Sequence, residues 1–278
     1  MIAAWMARNR AEFERQGAVV PPPRLFLSRL SEALDRGRDL DPLAREDALL
    51  RSLGASGTHR WMAVSAPGLL GAVDDVIAPE GFYVRDVARR LHGLRTLFPR
   101  CTITLMLAVR SPATMLPAIL PDDPEMLASL LPMLDGDTLP WAALVATIRH
   151  HLPAAQLVAW RHENLAGVWP DILAQIVGPG RVLPPAGLLD FATLGLSAQA
   201  RLRFERYCAA NPPPTAGHMR QLAEAFGRRY GHARLSAPAE SLPGWARTEL
   251  DRLDAGYVTE WADISGRADV HTLFTRTP

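Results

Sequence analysis

Arg110 directly follows the most apolar run of the chain, Thr102 to Val109 (TITLMLAV), and precedes Ser111 and Pro112. A guanidinium at the end of a buried strand can fork onto a phosphate or sulfate. The alternative is an arginine that pairs with a carboxylate or caps a helix. His162 and Glu163 follow a second apolar run, Gln156 to Trp160, within Arg161-His162-Glu163-Asn164-Leu165. Either side chain can act as a general base. The alternative for Glu163 is to accept from backbone amides and fix its loop. Other reactive residues lack a chemical frame. His150-His151 has neither an HExxH spacing nor a cysteine partner, so no metal is expected there. Gly178-Pro179-Gly180 follows a helix and lacks the third glycine of a dinucleotide fingerprint. Ser65 lacks the GxSxG frame of a hydrolase elbow. Trp141, Trp160 and Trp169 read as core residues in preference to a sugar platform.

The composition narrows the chemistry. The chain has 278 residues and 30 basic side chains, all of them arginine. With no lysine there is no Schiff base, no lysine nucleophile and no lysine to grip a phosphate. The formal net charge of +1 argues against a nucleic-acid partner, which calls for a large basic surplus. Two cysteines, Cys101 and Cys208, are too few for a disulfide framework and fit a reducing, cytoplasmic setting. No stretch reaches 18 uninterrupted apolar residues, so no membrane span is expected.

These residues need elements to hold them. Residues 1–16 have helical spacing, ended by Gly17. Ala18 to Val20 reads as extended, stopped by Pro21-Pro22-Pro23. Helices are expected over 25–36 and 42–53, the second capped by Asp41 with Pro42 at its first position. Trp61 to Ser65 reads as a short buried strand, Val84 to Phe98 as an amphipathic helix closed by Pro99. Thr102 to Val109 shows no polar alternation, as in a parallel strand covered on both faces. A helix over 139–152, a strand over 156–160 and a helix over 168–177 follow. This alternation is the βαβ pattern of a parallel sheet. Residues 197–232 read as helical, interrupted at Pro212-Pro213-Pro214, and the tail from 243 as one helix with an irregular end. The expectation is a single α/β domain over 1–278, with its core at about 17–178 and a helical C-terminal extension at about 188–278. Its active edge lies outside the carboxyl ends of the strands, at Ser65, Arg110-Ser111 and Arg161-His162-Glu163.

Longer runs carry a family resemblance. "LHGLRTLFPRCTITLMLAVRSPATMLPAI" resembles the segment of sulfotransferases that leads into their 3′-phosphate motif. "LPWAALVATIRHHLPAAQLVAWRHENL" is similar to their later strand and its acidic loop. "LPGWARTELDRLDAGYVTEWADISG" resembles the tail of an alphaproteobacterial sulfotransferase-like group, and "WMARNRAEFERQGAVVPPP" the helix that follows the P-loop in that group. The resemblance implies a P-loop-type parallel sheet flanked by helices. It also implies transfer of a sulfuryl group from PAPS (3′-phosphoadenosine 5′-phosphosulfate) to an alcohol or amine, without a metal. Carried over, Arg110 meets the 3′-phosphate of the donor with Ser111 beside it, and Glu163 falls in the acidic loop. The 5′-phosphosulfate loop and the strand before it would lie upstream of Met1, so the sheet lacks its first strand. The family's second 3′-phosphate residue, a serine, falls on Ala118. The implied partners are a nucleotide donor and an acceptor that the sequence does not identify. The alternative expectation is a degenerate fold that binds carbohydrate, lipid or protein without transfer. An incomplete sheet would leave an edge that a second chain can cover.

Overall fold

The structure is a computed structural model. It describes residues 1–36, 41–71, 76–78, 81–83, 86–119, 125, 131–133, 141–184, 186–188, 190–191, 196–213, 215–230 and 244–274. The amino-terminal helical pattern resolves into two short helices, α1 (Ile2–Arg8) and α2 (Arg10–Arg15). The break falls at Asn9, whose side-chain amide donates to the Trp5 and Ala186 carbonyls, both at 2.8 Å. A polar side chain that takes up a helix carbonyl competes with the backbone ladder there. Strand β1 (Ala18–Val19) follows, then α3 (Pro23–Arg36) and α4 (Pro42–Ser52). Asp41 caps α4 by accepting from the Leu43 and Ala44 amides. Strand β2 (Trp61–Met62) pairs with β1 in parallel.

A small antiparallel hairpin, β3 (Ile77–Ala78) with β4 (Gly81–Phe82), precedes α5 (Val87–Leu97). No hairpin was expected there, because two-residue strands carry no readable period. The apolar run forms β5 (Thr104–Val109), followed by α6 (Pro112–Ile119), α7 (Trp141–His151) and β6 (Gln156–Arg161). A short 3₁₀ turn at His162–Asn164 leads into α8 (Leu165–Val177). Next come α9 (Ala198–Ala210), α10 (Ala216–Tyr230) and α11 (Gly244–Gly266). The chain then returns to the sheet as β7 (His271–Leu273), where the sequence reading had an irregular end. The larger sheet runs β5-β6-β7, parallel throughout.

Alternate residues of every core strand enter one of two apolar layers. Leu105, Leu107 and Val109 of β5 and Leu157 and Ala159 of β6 join the first, with α3, α4, α5, α7 and α11. Met106, Ala108, Val158 and Trp160 join the second, with α1, α2 and α8. Met62 and Val64 belong to the first layer, Trp61 and Ala63 to the second. The two parallel sheets therefore lie in one plane between two layers of helices, as the unalternating apolar runs require. The carboxyl-terminal helices divide in role. Helix α11 is part of the core, with Leu250, Leu253, Tyr257 and Ile264 buried. Helices α9 and α10 form a satellite cluster around Phe204. The two cysteines are free thiols.

Candidate anion site at the carboxyl edge

The carboxyl ends of β5 and β6 lie side by side because Val109 is in register with Arg161. That register brings Arg110, Ser111, His162 and Glu163 to one edge. Ser111 precedes the proline that opens α6, and its carbonyl accepts the Met115 amide at 2.9 Å. Its own amide donates to Glu163 Oε1 at 2.8 Å, and its hydroxyl donates to Asp254 of α11. Ser111 is 4% exposed, so both of its donors are spent inside the protein.

Glu163 gathers donors from several elements. Besides the Ser111 amide it accepts from the Tyr257 hydroxyl at 2.8 Å, through Oε2, and lies 3.9 Å from Arg161 Nε. The Arg161 guanidinium sits over the Tyr257 ring, 4.9 Å from its centroid, and its Nε reaches the hydroxyl at 3.4 Å. Burial first, and the Glu163 charge second, push the Tyr257 phenol well above its ordinary value. Tyr257 therefore stays protonated and acts as a donor. Glu163 and Tyr257 together bolt α11 across the ends of β5 and β6.

Arg110 is half-buried at the same edge. Its Nε donates to Thr114 Oγ1 at 3.1 Å, and its carbonyl accepts from the Trp141 indole at 2.9 Å. Burial pulls the Arg110 guanidinium below its ordinary value, against the opposing pull of Glu163. Burial also lowers His162, helped by the Arg110 charge and opposed by Glu163. His162 thus carries a neutral imidazole at neutral pH, beside a partly desolvated cation. Glu260 accepts from the first amides of α7, Trp141 at 3.3 Å and Ala142 at 3.4 Å, and burial raises its carboxyl above the usual range.

Arg110, Ser111, His162 and Glu163 are thus brought together. Ser65, the third strand end, makes no hydrogen bond to them among the described residues, and Ala118 is exposed on α6. Trp141, Trp160 and Trp169 are buried. Among the described residues no group of three His, Cys, Asp or Glu side chains could hold a metal, and no helix is long and apolar enough to cross a membrane. Sequence reasoning missed Asp254 and Tyr257. They sit three residues apart on α11, but nothing in that amphipathic helix says which strand ends it will meet. A cleft of about 650 Å³ lies elsewhere, at the outer edge of β1, between Arg10, Glu14, Val19, Pro21, Arg51 and His59.

A phosphate fits Arg110, because an anion compensates a desolvated cation. Ser111 fits a phosphate poorly, since Glu163 and Asp254 already hold its two donors. The edge therefore offers one anionic group a cationic contact, not a full cradle for a phosphosulfate. No family model matches the chain, and neither a curated protein nor a solved structure matches it.

Proposed function

We propose that the carboxyl edge around Arg110 binds an anion, and that the protein is a sulfotransferase-like protein that receives the 3′-phosphate of PAPS there. The observation that carries this reading is a half-buried arginine whose charge burial opposes, placed directly after β5. Ligands of open α/β sheets bind at that edge, and perturbed charges cluster at functional sites. The resemblance supplies the identity of the ligand and the P-loop-type arrangement. In this reading the protein works in the cytoplasm and moves a sulfuryl group to an alcohol or amine. His162 is then the better base, because its imidazole is neutral while Glu163 is held by Tyr257 and Ser111.

A second reading is binding without transfer, to a carbohydrate, lipid or protein. The commitment of Glu163 and of both Ser111 donors to internal bonds favours it. Thermal unfolding with adenosine 3′,5′-bisphosphate, the desulfated donor, tests the shared step. At about 100 times its dissociation constant a ligand adds roughly 2.7 kcal/mol, a rise of about 5 °C in Tm for a chain of this size. The rise is expected with the native chain and lost in Arg110→Ala. No rise at millimolar ligand overturns the donor site. A rise with the bisphosphate, but no transfer to any acceptor when PAPS is supplied in its place, favours the second reading.

A further inference from the structure

The cleft at the outer edge of β1 lies apart from the edge around Arg110. Its lining comes from α2, β1, the proline turn into α3, the end of α4 and the turn before β2. At about 650 Å³ it has the size of a small-molecule site. Helices α2 and α4 belong to opposite apolar layers, through Phe13 and Leu49. The cleft therefore opens where the two layers meet beside the sheet.

Part of the lining is apolar and stiff. Val20, Pro21 and Leu53 are buried, and Val19 and Leu25 are half-buried. Pro21 and Pro22 each fix the backbone φ through their rings. A wall set before the ligand arrives lowers the cost of binding. Gly54, just after α4, has φ +88°, and a Cβ there would lie 3.8 Å from the Val19 Cγ2 methyl. That conformation calls for glycine, and glycine leaves the surface over Val19 uncovered.

The rest of the lining is polar, with more positive than negative charge. Arg10 and Glu14 are one turn apart on α2, Arg51 is in the last turn of α4, and all three are exposed. Two guanidiniums against one carboxylate leave one excess positive charge. His59 adds a donor of fixed position. Its Nδ1 accepts from the Ser56 amide at 2.9 Å, so the ring carries a proton on Nε2. These features discriminate between ligands. A dianion, such as a phosphate monoester, exceeds the one surplus charge and is repelled by Glu14. A neutral ligand leaves the guanidiniums unused. A carboxylate matches both the single charge and the planar fork of a guanidinium.

We infer that this cleft binds a small monocarboxylate with an apolar body. The carboxylate is met by Arg10, Arg51 and the His59 Nε2–H, and the body lies on Val19, Pro21 and Leu53. The inference stands on the cleft alone and does not depend on the anion site at Arg110.

Titration with 3-phenylpropionate, followed by the amide NMR shifts, tests it. The Val19, Gly54 and His59 amides should shift together to saturation, in the native chain and equally in Arg110→Met. Arg51→Glu and Arg10→Glu reverse exposed charges, and each should weaken binding at least about tenfold. Arg201→Glu makes the same change on α9, outside the cleft, and should leave binding unaltered. The uncharged 3-phenylpropanamide should bind at least about tenfold more weakly than the acid, and phenyl phosphate no more tightly. No saturating shift up to millimolar 3-phenylpropionate overturns the site. Shifts that vanish in Arg110→Met assign the ligand to the other edge and overturn it as well. Equal binding of acid and amide, or binding unaltered in both Arg10→Glu and Arg51→Glu, overturns the recognition of a carboxylate. Tighter binding of phenyl phosphate than of 3-phenylpropionate overturns the monocarboxylate class.

Discussion

The two ends of β5 each carry an arginine, and the two are held in opposite ways. Before the strand, Arg100 meets a fully buried carboxylate, Glu46, through its Nε, and Asp47 through a terminal nitrogen. Glu46 also accepts from the Arg100 backbone amide and the Cys101 thiol, both at 3.3 Å. Asp47 and then Glu46 raise the Arg100 guanidinium above its ordinary value, and burial followed by Glu46 pushes the Cys101 thiol up to about 11. After the strand, burial pulls the Arg110 guanidinium down against the opposing pull of Glu163, whose carboxylate bonds to a backbone amide and a tyrosine. One end closes its charges on each other. At the other, burial outweighs the pull of Glu163 on the cation, and Glu163 also ties down a backbone amide and a tyrosine. Stability accounts for the first arrangement, and the proposed anion site concerns the second.

The strongest way to break this contrast is to remove the two carboxylates. Glu163→Ala leaves the buried Ser111 amide and the Tyr257 hydroxyl without their acceptor, and an unmade buried hydrogen bond costs about 1–3 kcal/mol. The expected loss is about 3 kcal/mol in urea unfolding, with a fall in Tm of roughly 6 °C or more. Glu46→Ala should also lower Tm, because it frees α4 from the turn before β5, but it should leave the response to adenosine 3′,5′-bisphosphate intact. A Glu46 variant that loses the ligand response would erase the distinction between the two ends.

Arg110→Met sharpens the contrast from the other side. It removes a charge that burial disfavours and keeps an apolar stem of similar length. Its Tm should move by less than half the fall seen in Glu163→Ala, while the ligand response disappears. A large fall in Tm with the ligand response retained would make Arg110 a structural arginine like Arg100.

What the sequence made legible follows from range. The βαβ order, the strands around Thr104 to Val109 and Gln156 to Arg161, and the caps at Asp41 and Pro42 all rest on neighbouring residues, and the structure shows them. Asn9, at the break in the first helix, also bonds the Ala186 carbonyl 177 residues away, a contact with no local signal. Tyr257 and Asp254 reach the strand ends from 148 and 143 residues beyond Val109 and Ser111. Strand β7 is three residues long and exists because β6 offers an edge. The candidate site was legible as two strand ends, but the way Glu163 and Ser111 are used depends on α11, which only folding brings there.

The smallest expected effect concerns the proton on His162. Its folded pKa lies below the ordinary value of about 6.5, through burial first and Arg110 second. The unfolded chain therefore takes up this proton more readily. The stability it contributes is fully present above about pH 6.5 and is lost as pH falls from there through the lower, folded value. His162→Gln removes that dependence. Burial also lowers His151, aided by His150, His92 and Arg95, but that group titrates in both proteins and cancels in their difference. The Tm of the native chain minus that of the variant should fall between pH 7.5 and pH 5. In the Arg110→Met background the same fall should shrink, since the charge that disfavours protonation is gone. Parallel Tm curves for native and His162→Gln proteins would place His162 outside the field of Arg110 and leave the carboxyl end of β5 as electrostatically closed as its amino end.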